Sequence, residues 1–137
     1  MIENYDELDY NRKVDMLVAV HVFKYKDIYV QWMGNYWLCT WLGNTGPANI
    51  IPCYSTLLTS AWEIVRKFDY CYLFRSKNFK GGQWECKLYQ DITGQVLGEK
   101  DPYFVWAETE QLAICYAGLK AVGFDMQGFL KEEGRLC

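Results

Sequence analysis

The sequence predicts an α+β fold: a layered α/β/α sandwich with a mostly antiparallel sheet of about five strands and three main helices. Three observations predict it. Stretches with apolar residues three and four apart are interspersed with stretches that alternate at every second residue, so helices and strands are both required. The later strand-like stretches follow one another through turn signals, which points to an antiparallel meander. Finally, 137 residues with 51% hydrophobic and 18% aromatic content suffice for one core and are short for two. Residues 1–137 are therefore expected to form a single domain, with no repeat, low-complexity segment or linker.

In chain order, Asp6 is positioned to cap a first helix running to about Phe23. Val14, Leu17, Val18, His21 and Val22 line one face, and Met16, Val20 and Phe23 widen it. His21, the one histidine, then sits beside the core as a helix-edge residue. Asp27–Met33 and Tyr36–Leu42 flank Gly34-Asn35, a two-residue hairpin turn. Pairing across it sets Trp32 opposite Trp37, Val30 opposite Cys39 and Ile28 opposite Trp41, an entirely apolar face. The other face, from Tyr29 to Leu42, is also unusually apolar, so this hairpin either lies mid-sandwich or meets a partner.

Gly43–Pro52 reads as a loop, and Ser55 or Thr56 as the cap of a second helix reaching about Phe68. Tyr70–Lys77, Gln83–Gln90 and Tyr103–Glu108 read as strands. Thr109 caps a third helix to about Val122, closed by Gly123, and residues 124–137 form an extension with a short amphipathic helix. Trp62 and Trp106 are expected in the core.

Composition excludes several roles. A net charge of −3 and a pI near 5.1 disfavour non-specific binding to long nucleic acid. The six dispersed cysteines include no CxxC pair, so neither zinc nor a disulfide framework is expected, and Cys39, Cys71, Cys86 and Cys115 read as buried thiols. The acidic N-terminal residues lack the character of a secretion signal, and the longest apolar run, Met16–Val20, is too short for a bilayer. A cytoplasmic location is the expectation.

Three motifs carry a family resemblance. Pro52-Cys53-Tyr54-Ser55-Thr56 running into Ala61-Trp62-Glu63-Ile64-Val65 resembles the P-x-Y-S-T … A-W-E-V-V helix of the phage ABA sandwich domain family. Ala107 to Cys115 is similar to that family's A-x-T-x-x-x-A-I-C start of the last helix. Glu7-Leu8-Asp9 through Val18-Ala19 is similar to its opening R-x-L-D-x-L-V-A helix. Leu57 and Tyr116 stand where the family usually has Asp and Arg, the aromatic hairpin (27–42) is longer than the family's typical connection, and the 124–137 extension is extra. The resemblance implies a helix/sheet/helix fold encoded by a bacteriophage or prophage; it implies no activity.

No catalytic, cofactor-binding or metal-ligating group is expected, because a nucleophile needs a base and His21 stands alone on an apolar helix. Ser55 reads as a cap and Glu108 and Glu110 as dipole-favouring acids. The candidate ligand-binding residues are aromatic and basic: Trp32, Trp37, Trp41, Arg66, Arg75, Lys77 and Lys80. Rings stack on bases or anchor proteins, and cations meet phosphates. The leading expectation is a non-enzymatic phage counter-defence protein in the host bacterial cytosol that sequesters a small nucleotide-like immune signal as a homo-oligomer. The alternative is a module that binds or inhibits a host or phage protein through the aromatic hairpin.

Overall fold

The computed structural model describes residues 2–43, 47–75, 83–89 and 106–135. Helix α1 spans Tyr10–Leu17 and is capped by Asp9, whose carboxylate accepts from the Arg12 N–H at 2.8 Å. Asp6 does not cap it. Tyr5–Glu7 close a separate 3-10 turn, and Leu8 then extends to bury its side chain before the helix begins. From Val18 to Val22 the helix widens into a π turn, in which the Phe23 N–H reaches the Val18 carbonyl at 3.2 Å. Val14, Met16, Val18, Ala19 and Val22 are buried.

Strands β1 (Ile28–Trp32) and β2 (Trp37–Trp41) form the expected hairpin in the expected register. Gly34, at φ +99, supplies the turn conformation that a side chain would disfavour. Only the centre of the apolar face is buried: Val30 and Cys39 are enclosed, while Trp32 at the tip is exposed. A short β3 (Asn49–Ile50), inside the expected loop, pairs with Thr40 and Trp41 and completes a sheet ordered β1-β2-β3.

Helix α2 covers Leu58–Val65, later and shorter than expected. Ser55 is not its cap; its hydroxyl donates to the Asn11 carbonyl at 2.9 Å. Strands β4 (Tyr70–Arg75) and β5 (Trp84–Tyr89) pair antiparallel in a second sheet, and Trp84 bridges Ala107. The rest of the expected third strand, residues 103–105, lies outside the described residues. Helix α3 (Glu110–Ala121) is capped by Thr109, which accepts from the Leu112 N–H at 3.2 Å, and Gly123 follows at φ +87. Its residues from Leu112 to Leu119 are all buried, because α2 packs on one side and β5 on another. Gly118 permits the α2 approach, since a β-carbon there would sit 2.7 Å from Ile64 Cγ2.

The extension forms helix α4 (Met126–Glu132), capped by Asp125 and laid against α1. Phe129 stacks on Tyr10 at 5.6 Å, and Lys13 pairs with Glu133 at 3.1 Å. The described residues thus form an α+β fold of four helices and five antiparallel strands in two sheets.

One buried polar tie crosses this assembly. Asp15, 1% exposed, accepts from the Ser55 N–H at 2.7 Å and from Arg12 at 2.9 Å. Arg12 also donates to the carbonyls of Ile51 at 2.6 Å and Pro52 at 3.1 Å. Burial pushes the Asp15 carboxyl up, against the pull of the Ser55 and Arg12 donors. Asp15→Ala strands a guanidinium and an N–H, so denaturant unfolding should show a loss of about 3–5 kcal/mol. Gly118→Ala should cost about 1–3 kcal/mol in the same assay, because Ile64 must shift to admit the methyl group.

Candidate interaction surface

The buried core is built largely from aliphatic residues, methionine and cysteine, with Tyr54, Tyr116 and Phe129 as its aromatic members. None of the six tryptophans is buried. Trp62, expected in the core, is 40% exposed on α2, and Trp106 is half-buried. The core closes without these indoles, which leaves their large apolar surfaces at the rim or in solvent.

The hairpin concentrates them. Trp32 tilts on Trp37 at 5.1 Å, and Trp41 stacks on Tyr25 at 3.9 Å with an interplanar angle of 5°. Tyr29, Met33 and Tyr36 join Trp32 as exposed residues. Met33 and Tyr36 are hydrogen-bonded across the turn, as are Asp27 and Leu42. By the alternation of an antiparallel ladder, Ile28, Val30 and Trp32 therefore direct their backbone groups away from β2, toward the open edge of the sheet. At that edge lies a cleft of about 780 Å³ between β1 and residues 2–4. Glu3, Asn4, Asp27, Tyr29, Trp32 and Met33 are among its lining residues; no Lys or Arg of the described residues lines it. Asn4, at φ 65, donates its amide to the Val30 carbonyl at 3.1 Å.

The candidate cations lie elsewhere. Arg66 follows α2 and pairs with Glu63 at 2.7 Å on an exposed face. Arg75, on β4, lies 5.8 Å from the Trp84 ring and 3.4 Å from Gln83. The three hairpin tryptophans and Arg75 are thus carried by different sheets. Lys77 and Lys80 fall outside the described residues.

A second aromatic face escaped the sequence reading. On β4, Tyr70, Tyr72 and Phe74 are all exposed. Tyr72 stacks on Phe74 at 5.9 Å and meets Tyr89 edge-on at 5.4 Å, and Lys87 Nζ lies 5.8 Å from the Phe74 ring. The alternation Tyr-x-Tyr-x-Phe was the available signal; periodicity identifies the two faces of a strand but not which one meets helices.

Ser55 and His21 are committed to structure. Ser55 is 2% exposed in the Asp15 tie. His21 packs on Phe124 at 4.9 Å, and burial, with help from Lys24, lowers its pKa. Cys39, Cys53, Cys71, Cys86 and Cys115 are free thiols. Among the described residues no group of three or more His, Cys, Asp or Glu side chains could hold a metal ion, and no helix is long and apolar enough to cross a membrane.

The profile of the phage ABA sandwich domain matches residues 16–119. This chain belongs to that family. A crystal structure of a phage protein from Bacillus cereus ATCC 14579 shares the fold, with a TM-score of 0.56 at 23% identity over 84% of this chain and 94% of the other. No curated protein matches the chain. Within the family frame, the opening R-x-L-D-x-L-V-A pattern also fits Arg12-Lys13-Val14-Asp15-Met16-Leu17-Val18-Ala19, with Val14 in place of Leu. Its Arg and Asp are the two charged members of the buried tie, and they reach the P-x-Y-S-T motif at Pro52 and Ser55. Leu57, in place of the family's Asp, is exposed, while Tyr116, in place of its Arg, shares a short hydroxyl–hydroxyl hydrogen bond with Tyr10.

Proposed function

We propose that this phage protein is a non-enzymatic interaction module whose hairpin binds an extended segment of a host or phage protein. The observation that carries the reading is the outer edge of β1, where Asn4 holds only the Val30 carbonyl, bordered by exposed Tyr29, Trp32 and Met33 and by the cleft beside residues 2–4. An extended segment would add a strand at that edge, with main-chain hydrogen bonds giving affinity and alternate side chains meeting the aromatic rims. Glu3 and Asp27 favour a segment carrying Lys or Arg, and they oppose phosphate in the same cleft. The commitment of Ser55 and His21 to packing supports a role without catalysis.

A second reading, capture of a small nucleotide-like immune signal in counter-defence, draws support from β4–β5. There Lys87 lies against the Phe74 ring on the same face as the exposed Tyr70, Tyr72 and Phe74, a combination that suits a stacked base and its phosphate, while Arg75 sits on the opposite face of β4 against Trp84. Assembly into a homo-oligomer would deepen such a flat platform into a pocket.

Selection from a library of extended peptides separates the two. The first reading expects enrichment of alternating sequences with basic residues, and at least about a tenfold loss of affinity in Trp32→Ala with an unchanged melting temperature. Failure to enrich any peptide overturns it. For the second reading, native mass spectrometry across a nucleotide panel should give a stoichiometric adduct that disappears in Tyr72→Ala or Lys87→Ala; a clean unliganded mass throughout rejects it.

A further inference from the structure

We propose that Cys71 and Cys86 form a reversible oxidation site, at which hydrogen peroxide converts the two thiols into an intramolecular disulfide joining β4 to β5. Their sulfur atoms already lie 3.5 Å apart. Cys71 opposes Leu88 and Leu73 opposes Cys86, so the two cysteines are diagonal neighbours on one face of the ladder. That face points inward, opposite to Tyr70, Tyr72 and Phe74. Closing the gap to a bonding distance of about 2.05 Å takes rotation of both side chains together with a small approach of the two strands.

The two thiols are unequal in the way the chemistry needs. Cys71 is half-buried on the outer strand of the pair, whereas Cys86 is buried on the inner one. The hydrogen bond from Cys86 holds the Cys71 thiol below its ordinary range, and that bond together with burial pushes Cys86 up. Cys71 is therefore the attacking thiolate and Cys86 the resolving thiol. In the first step a sulfur–oxygen bond forms at Cys71, the peroxide O–O bond breaks, and the departing hydroxide takes a proton to become water. In the second, Cys86 sulfur attacks the sulfenic acid, the S–S bond forms, the S–O bond breaks, and a second water leaves with the remaining proton. Two thiols and one peroxide thus become one disulfide and two waters, with two electrons passing from sulfur to oxygen.

Among the described residues, the other thiols lack this arrangement. Cys39 and Cys115 are fully buried, and Cys53 lies 3.9 Å from an Arg12 nitrogen. Reversibility also follows from position. Diagonal residues of an antiparallel pair have α-carbons about 7–8 Å apart, beyond the usual disulfide span of about 4.4–6.8 Å. The bridge must draw the strands together, and a strained bridge is readily reduced by small thiols. Oxidation would pin the outer strand β4 directly beneath its aromatic face.

The test uses the full chain, reduced and then treated with hydrogen peroxide. Intact mass should fall by about 2 Da, the loss of two hydrogens, and return on addition of dithiothreitol. Non-reducing tryptic digestion should link the peptide holding Cys71, residues 68–75, to that holding Cys86, residues 81–87. Cys86→Ser should leave a sulfenic acid on Cys71 that a dimedone probe captures, and Cys53→Ser should leave the bridge intact. A mass gain without cross-linking, or a bridge between other cysteines, overturns the proposal. The wild-type peptide map decides the question even if a serine variant fails to fold.

Discussion

The rest of the structure depends on the contact between Arg12–Asp15 of α1 and the crossing segment 51–55. That segment has β3 immediately before it and α2 immediately after it, and it runs past α1 with carbonyls at Ile51 and Pro52 that no sheet or helix bond claims. Arg12 answers both carbonyls with one planar fork, a task that suits guanidinium geometry. Asp15 in turn answers Arg12 and the Ser55 N–H, so each buried polar group in the contact has a partner. A well-packed apolar replacement could be as stable as such a pair. What the ions add is position: they admit one path of the crossing segment over α1. Ile51 is then held against Cys39 of β2 by an N–H to carbonyl bond at 2.9 Å, and Tyr54 stacks on Phe23 at 5.1 Å.

Much of the fold was legible because it rests on local periodicity. The hairpin register followed from the turn and the two-residue repeat, and α3 from its cap and terminal glycine. The start of α2 was not legible in the same way. Serine before an apolar run serves equally as a helix cap or as a buried strut, and the choice is made by Asp15, forty positions earlier in the chain. The same holds for Asp6 and Asp9: both are acceptable caps, and the burial of Leu8 decides between them.

The aromatic residues mark the limit of such reading. A strand pattern shows that Tyr70, Tyr72 and Phe74 share a face, yet only the packing of α3 beneath β5 shows that this face turns outward. Aromatic side chains were equally good candidates for core or surface by composition alone. The tertiary structure divides them by closing the core with smaller aliphatic side chains, and that leaves every tryptophan at the rim or in solvent.

That division bears on function more than any single residue does. An indole left out of the core forgoes the largest burial that a side chain can contribute, unless something outside the chain covers it. The hairpin holds three of the indoles, and of these Trp32 at the tip lies in solvent. The cleft beside β1 carries acids, while Lys87 lies against Phe74 on the exposed face of the other sheet, so the two aromatic faces differ in the charge they favour. A partner that satisfies one face is therefore a poor fit for the other. Beside the Val30 carbonyl that Asn4 holds, this acidic edge also turns backbone groups of Ile28 and Trp32 outward, which suit an extended polypeptide better than a nucleotide.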